Sequence, residues 1–199
     1  MKTAFIFHGT SDTPLSHWFP ALKIHLEKKW YTVYCPQFPG IEEESYTSWL
    51  QIIHPYMHSI SEETIFIWHS LGACFILQLL SSENISIAQA FLVGWWGEKL
   101  SDEIIHNHYK LFCEWGFKEN KSTLYNYETF VEDLEFSTIR KHCPSFTVFS
   151  SANDPYIPIE ISRNLALNLD WALYEYPHAG HFCKRDGFER FEDLENSIA

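Results

Sequence analysis

The sequence has no stretch approaching the roughly 18 consecutive apolar residues of a membrane helix, which argues against a membrane-spanning protein. Its amino terminus carries one lysine and the short apolar run Ala4 to Phe7, which leads into His8-Gly9-Thr10 and is too brief for a signal-peptide core. It contains no Cys-x-x-Cys pair. The five cysteines, Cys35, Cys74, Cys113, Cys143 and Cys183, are odd in number and widely spread, so free thiols in a reducing cytoplasm are expected rather than a disulfide framework. Basic residues are scarce, 14 against 26 acidic ones. The formal charge of -12 would repel a phosphate backbone, which argues against nucleic acid as a partner. Repeats, low-complexity tracts and linkers are missing too. The 199 residues are therefore expected to form one domain, 1-199, large enough to bury a core without staples.

Aromatic residues are plentiful, with 16 Phe, 10 Tyr and 8 Trp, and some of these rings are expected to line a pocket. Short β-like runs alternate with helix-like stretches, the pattern of a parallel sheet with crossover helices. Strands are expected near Thr3-Phe7, Thr32-Cys35, Thr64-Trp68, Ala88-Val93, Ser145-Phe149 and Ala172-Tyr176. Several are apolar almost throughout, as strands covered on both faces are. Apolar residues at helical spacing predict helices over Trp18 to Lys29 and Tyr46 to Met57. Further helices are expected at Ala73 to Leu80, Ile157 to Leu169 and Gly187 to Ile198. The long segment 95-143 follows the fourth strand and reads as a lid-like insertion. Its Trp95, Trp96 and Trp115 are candidate substrate-binding residues bordering an acyl pocket.

The third strand ends in Trp68-His69-Ser70-Leu71-Gly72 and runs straight into a helix-like stretch. A sharp strand-to-helix turn there would push the Ser70 hydroxyl out at the carboxyl edge of the sheet, where a histidine could take its proton. Downstream lie Asp154, in Asn153-Asp154-Pro155, and His181, in Gly180-His181-Phe182. Taken singly, Ser70 could be a helix N-cap, Asp154-Pro155 a turn opener and Gly180-His181 another turn. All three, however, fall just past predicted strands, in the order Ser, Asp, His of the α/β hydrolases. The Leu71 N-H is a candidate oxyanion donor. The second is expected from the loop after the first strand, at the Thr10 N-H, with Ser11 as the fallback. His178-x-x-His181 and His106-x-His108 lack zinc-site spacing, so no metal or organic cofactor is expected. The acidic trio Glu42-Glu43-Glu44 reads as a solvated helix start.

Four segments carry a family resemblance: Ile6-Phe7-His8-Gly9 followed by Trp18; His69-Ser70-Leu71-Gly72; Cys143-Pro144 through Asp154-Pro155-Tyr156-Ile157-Pro158; and Gly180-His181-Phe182. Pro36-Gln37-Phe38-Pro39 followed by Trp49 adds to them. The chain resembles the retinoblastoma-binding protein nine family of small serine hydrolases, within the α/β-hydrolase superfamily. The resemblance implies a minimal six-stranded parallel sheet flanked by helices on both faces. It also implies a triad of Ser70, Asp154 and His181 acting through an acyl-enzyme on a small carboxylic ester or amide. The elbow departs from the family in carrying Trp68 where its first glycine usually stands. No Leu-x-Cys-x-Glu sequence is present, so binding to the retinoblastoma pocket is not implied. The alternative expectation is a catalytically weak binding protein on the same fold.

Overall fold

The computed structural model describes residues 2–40, 43–95 and 134–198. Six strands form one sheet: β1 (Thr3–Phe7), β2 (Thr32–Tyr34), β3 (Thr64–His69), β4 (Gln89–Val93), β5 (Phe146–Ser151) and β6 (Ala172–Tyr176). Their order is β2-β1-β3-β4-β5-β6, and every neighbouring pair is parallel. All carboxyl ends therefore lie on one edge. The chain steps outward from β1 to β2 and then resumes on the other side of β1 with β3. A reversal of this kind opens a crevice at the carboxyl ends of the two strands beside it, where open α/β sheets bind ligands.

Alternation along the strands decides what each face buries. Phe5, Phe7, Phe66, Trp68, Ala90, Leu92, Phe146 and Val148 turn to one side. There they meet Trp49 and Ile53 of α2 (Tyr46–Ile53), the apolar face of α3 (Gly72–Ser82), Ile139 of α4 (Phe136–His142) and Ala166 of α5 (Ile159–Leu169). Ala4, Ile6, Ile65, Ile67, Phe91, Val93 and Phe149 turn to the other. They pack on Phe19, Leu22 and Leu26 of α1 (Phe19–Lys28) and Leu194 of α6 (Glu192–Ser197). The sheet thus has helices on both faces, as expected. Strands this apolar are stable only when covered on both sides, because each face needs its own partner layer.

Two expected helices end elsewhere. The helix over Tyr46 to Met57 stops as α-helix at Ile53 and goes on as a 3-10 turn, His54–Ser59. Pro55 has no N-H to continue the ladder, and its ring crowds the turn before it. The carboxyl-terminal helix, expected from Gly187, starts only at Glu192. Gly187 adopts φ 95°, a left-handed residue that closes the short turn Lys184–Asp186 instead of opening a helix. Cys35, Cys74, Cys143 and Cys183 are free thiols, and Cys113 lies outside the described residues. Among the described residues, no helix is long and apolar enough to cross a membrane.

Candidate active site

Ser70 joins β3 to α3 with φ 58°, in the left-handed region that a side chain adopts only at a cost of about 1–2 kcal/mol. Neighbouring bonds hold it there. Its N-H donates to the Val93 carbonyl at 3.0 Å, extending the β3–β4 ladder, and its own carbonyl accepts from the Ala73 N-H at 3.1 Å. The result is a hydroxyl on a tight turn at the sheet's edge, partly exposed. Among the described residues the Ser70 Oγ has no hydrogen-bond partner, His181 included.

Trp68 finds room because the elbow is built around it. Its ring is fully buried and stacks on Phe7 at 4.1 Å, with Phe75 at 5.5 Å. It also lies across the position that a side chain at residue 72 would fill: a Cβ on Gly72 would sit 1.0 Å from Trp68 Nε1. The close strand–helix packing usually given by a small residue before the serine is here supplied by Gly72. Gly72→Ala is therefore expected to destabilise the protein by about 3 kcal/mol or more, since the confined ring cannot yield. A fall in the urea midpoint with little change in slope would register it.

His181 follows β6 between two left-handed residues, Gly180 at φ 55° and Phe182 at φ 56°. Its Nδ1-H donates to Asp154 Oδ2 at 2.8 Å. Asp154 follows β5, and its other oxygen accepts from the N-H groups of Tyr156 at 2.8 Å and Ile157 at 3.2 Å. Those two amides fix the carboxylate, and the carboxylate fixes the imidazole. The ring lies edge-on to Tyr156 at 4.7 Å. Gly94, just past β4 at φ 59°, lies beneath the pair: a Cβ there would come 3.1 Å from the His181 ring and 3.7 Å from Asp154. On the main chain, the His181 carbonyl accepts from His69 Nε2 at 2.8 Å and its N-H donates to Asp186 at 3.1 Å.

The loop after β1 closes the other side. A Cβ on Gly9 would lie 2.7 Å from Ser70 Cβ, so only glycine lets this backbone come so near the serine. His8 fixes the approach. Its Nδ1-H donates to the Gly9 carbonyl at 2.8 Å while Nε2 accepts from the Phe38 N-H at 2.9 Å, and burial lowers its pKa, favouring this neutral form. The loop then turns, Asp12 N-H to Gly9 carbonyl at 3.2 Å, with Ser11 at φ 60°. The Ser11 backbone lies beside the Glu44 carboxyl. Among the described residues, the amides of Thr10, Ser11 and Leu71 have no hydrogen-bond acceptor.

Glu44 departs from the expectation of a solvated helix start. It is 2% exposed, whereas Glu43 beside it is exposed and Glu42 lies outside the described residues. Asp12 gathers two histidines that no sequence pattern places together: His17 Nε2 at 3.0 Å and His69 Nδ1 at 3.6 Å. Burial pushes the Asp12 carboxyl up, but the hydrogen bond from His17 and the nearby His69 ring outweigh it and hold it well below the usual carboxylate range. These three side chains bring possible ligand atoms within 4.8 Å of one another. A metal does not suit them. His17 Nδ1 accepts the Lys184 N-H at 3.0 Å, so its Nε2 carries the proton given to Asp12 and has no lone pair left for an ion. His178 is exposed. Trp95 is fully buried, with its ring 5.8 Å from Trp171 and its carbonyl accepting from Ser162, within the core cluster. Trp96, Trp115, His106, His108 and most of the lid-like segment lie outside the described residues.

A family model described as serine hydrolase matches residues 4–199. The YdeN protein of Bacillus subtilis is 28% identical over 188 residues, 94% of this chain and 89% of its own. Its solved structure superposes with a TM-score of 0.81 at 25% identity, covering 100% of this chain and 97% of that one. Serine hydrolase RBBP9 of Rattus norvegicus is 27% identical over 134 residues, 67% of this chain and 60% of that protein. The esterase Pf2001 of Pyrococcus furiosus shares the fold at 15% identity, with a TM-score of 0.69 over 99% of this chain and 80% of its own.

Proposed function

The chain belongs to the serine hydrolase family, and from that premise we propose that it cleaves a small carboxylic ester or amide with Ser70 as nucleophile, His181 as base and Asp154 as the residue that orients it. The observation that carries this reading is the left-handed Ser70 at the β3–α3 turn, on the same sheet edge as a buried His181–Asp154 pair bonded at 2.8 Å.

Because Asp154 Oδ2 accepts the Nδ1-H, the lone pair of His181 stays on Nε2, the atom a general base needs. As Ser70 Oγ attacks the carbonyl carbon, its proton passes to Nε2 and the imidazolium is stabilised by Asp154. The carbonyl oxygen takes the developing negative charge and meets the free amides of Thr10 and Leu71. Collapse expels the alcohol or amine with the proton from His181 and leaves an acyl-enzyme on Ser70. Water then repeats the sequence, with His181 again the base. Every step is a proton transfer or a carbonyl addition among these groups and calls on no cofactor.

The test is turnover of nitrophenyl esters from acetate to dodecanoate. Hydrolysis above background, with one chain length preferred, supports the reading. A folded protein inert towards every ester and towards the matching anilides would overturn it.

A further inference from the structure

Glu44 immediately precedes Ser45, whose hydroxyl caps α2 by accepting from the Ser48 N-H at 3.1 Å. From there its carboxyl crosses to the loop after β1. Oε2 accepts from Thr10 Oγ1 at 3.2 Å, and the Ser11 backbone lies beside the same carboxyl. The remaining oxygen, Oε1, is buried without a hydrogen-bond partner among the described residues. Helix capping needs none of this, since Ser45 and Ser48 already satisfy each other in a capping box. The contact instead joins the start of α2 to Thr10, next to Gly9, where the backbone passes closest to Ser70.

We propose that Glu44 is a positioning residue for the oxyanion site: its buried carboxyl, accepting from Thr10 Oγ1, holds the loop after β1 so that the Thr10 amide meets the substrate oxygen. This rests on the Ser70 mechanism above. Charge is what makes the carboxyl's state matter. A neutral group steadies the loop without opposing the negative charge that builds on the substrate oxygen, whereas a carboxylate there would oppose it. The one charged group among the described residues that faces Glu44 is Asp12, from the same loop, and its charge is met by His17. Burial, with a smaller push from Asp12, raises the Glu44 pKa to about 8 against the pull of the Thr10 hydrogen bond and the Ser11 backbone. Below that pH the group is neutral in the folded protein. Above it the carboxylate forms and turnover should fall.

The test is the pH profile of kcat for an aryl acetate between pH 6 and 10, with far-UV circular dichroism confirming the fold at each pH. The wild-type protein is expected to lose about tenfold in kcat as pH rises through about 8, the size of a like-charge penalty near the reacting oxygen. Glu44→Gln keeps an acceptor for Thr10 but cannot ionise, so it should stay within about threefold of wild type at pH 7 and show no alkaline fall. Glu44→Ala should drop about tenfold at pH 7 through kcat more than KM, because the loop is no longer held. Thr10→Val removes a hydrogen bond that favours the carboxylate, so the alkaline midpoint should move to higher pH. An alkaline fall that persists unchanged in Glu44→Gln, or its absence from the wild type, overturns the role of Glu44. Labelling of Ser70 by a phosphonate probe at pH 7 separates the two layers: a labelled protein with an unaltered fall in Glu44→Gln refutes the positioning role alone, whereas a folded, unlabelled wild type removes the mechanism and this proposal together.

Discussion

A fluorophosphonate probe is expected to attach one equivalent to the wild-type chain, at Ser70 and at no other serine, and Ser70→Ala should abolish both labelling and ester turnover. The probe's phosphorus takes up the tetrahedral geometry that the Thr10 and Leu71 amides would stabilise, and attack on it requires a serine whose proton can be removed. Among the described serines, Ser70 combines a left-handed turn, an unpartnered hydroxyl and a buried His–Asp pair on its own sheet edge. The loss in kcat should be on the order of 10^6, because removing the nucleophile from such a set costs nearly as much as removing all of it. His181→Ala should slow labelling steeply for want of the base. The fold should survive Ser70→Ala, since alanine removes only a hydroxyl that bonds to nothing else among the described residues. Full labelling of the Ser70→Ala protein, read by peptide mass, would contradict the mechanism.

Asp154→Asn is expected to leave the fold intact and cut kcat by about 10^4. The direction follows from how Asp154 is held. The Tyr156 and Ile157 amides demand an acceptor at Oδ1, so the asparagine must place its carbonyl there and turn its NH2 towards His181. A donor facing Nδ1 takes that nitrogen's lone pair and moves the ring proton to Nε2, where it blocks the base. Thermal unfolding within a few degrees of wild type, together with the lost turnover, would identify a tautomer effect rather than misfolding. Near-normal turnover in this variant would take Asp154 out of the mechanism.

Much of the candidate site is legible in the amino-acid sequence. Ser70 and Asp154 stand out because each follows a strand of plainly apolar residues, and His181 because it follows the more polar β6 in Gly180-His181-Phe182; parallel strands deliver their carboxyl ends to one edge. Thr10 follows on similar grounds, as the residue after the glycine that passes closest to Ser70. The role of Gly72 beside Trp68 is not legible: the sequence shows a bulky residue where a small one is usual, and only the packing shows which neighbour gives way to its ring. Glu44 misleads for the opposite reason. Three consecutive glutamates carry the pattern of a solvated turn, and nothing local marks the third as the one that the start of α2 carries under the loop after β1.

The sequence by itself determined the alternation of strands and helices, and with it the parallel sheet, its two covered faces and the edge on which the chemistry-bearing loops emerge. These follow from hydrophobic periodicity and turn residues, which act over a few neighbouring positions. Tertiary structure alone decided which groups meet inside: Glu44 with Thr10, Asp12 with His17 and His69, Trp68 over Gly72. Each pairing joins atoms from separate elements or loop positions whose approach is fixed by how helices settle on the sheet. Burial of a carboxyl, and hence its charge, is a property of that settling and of no local pattern.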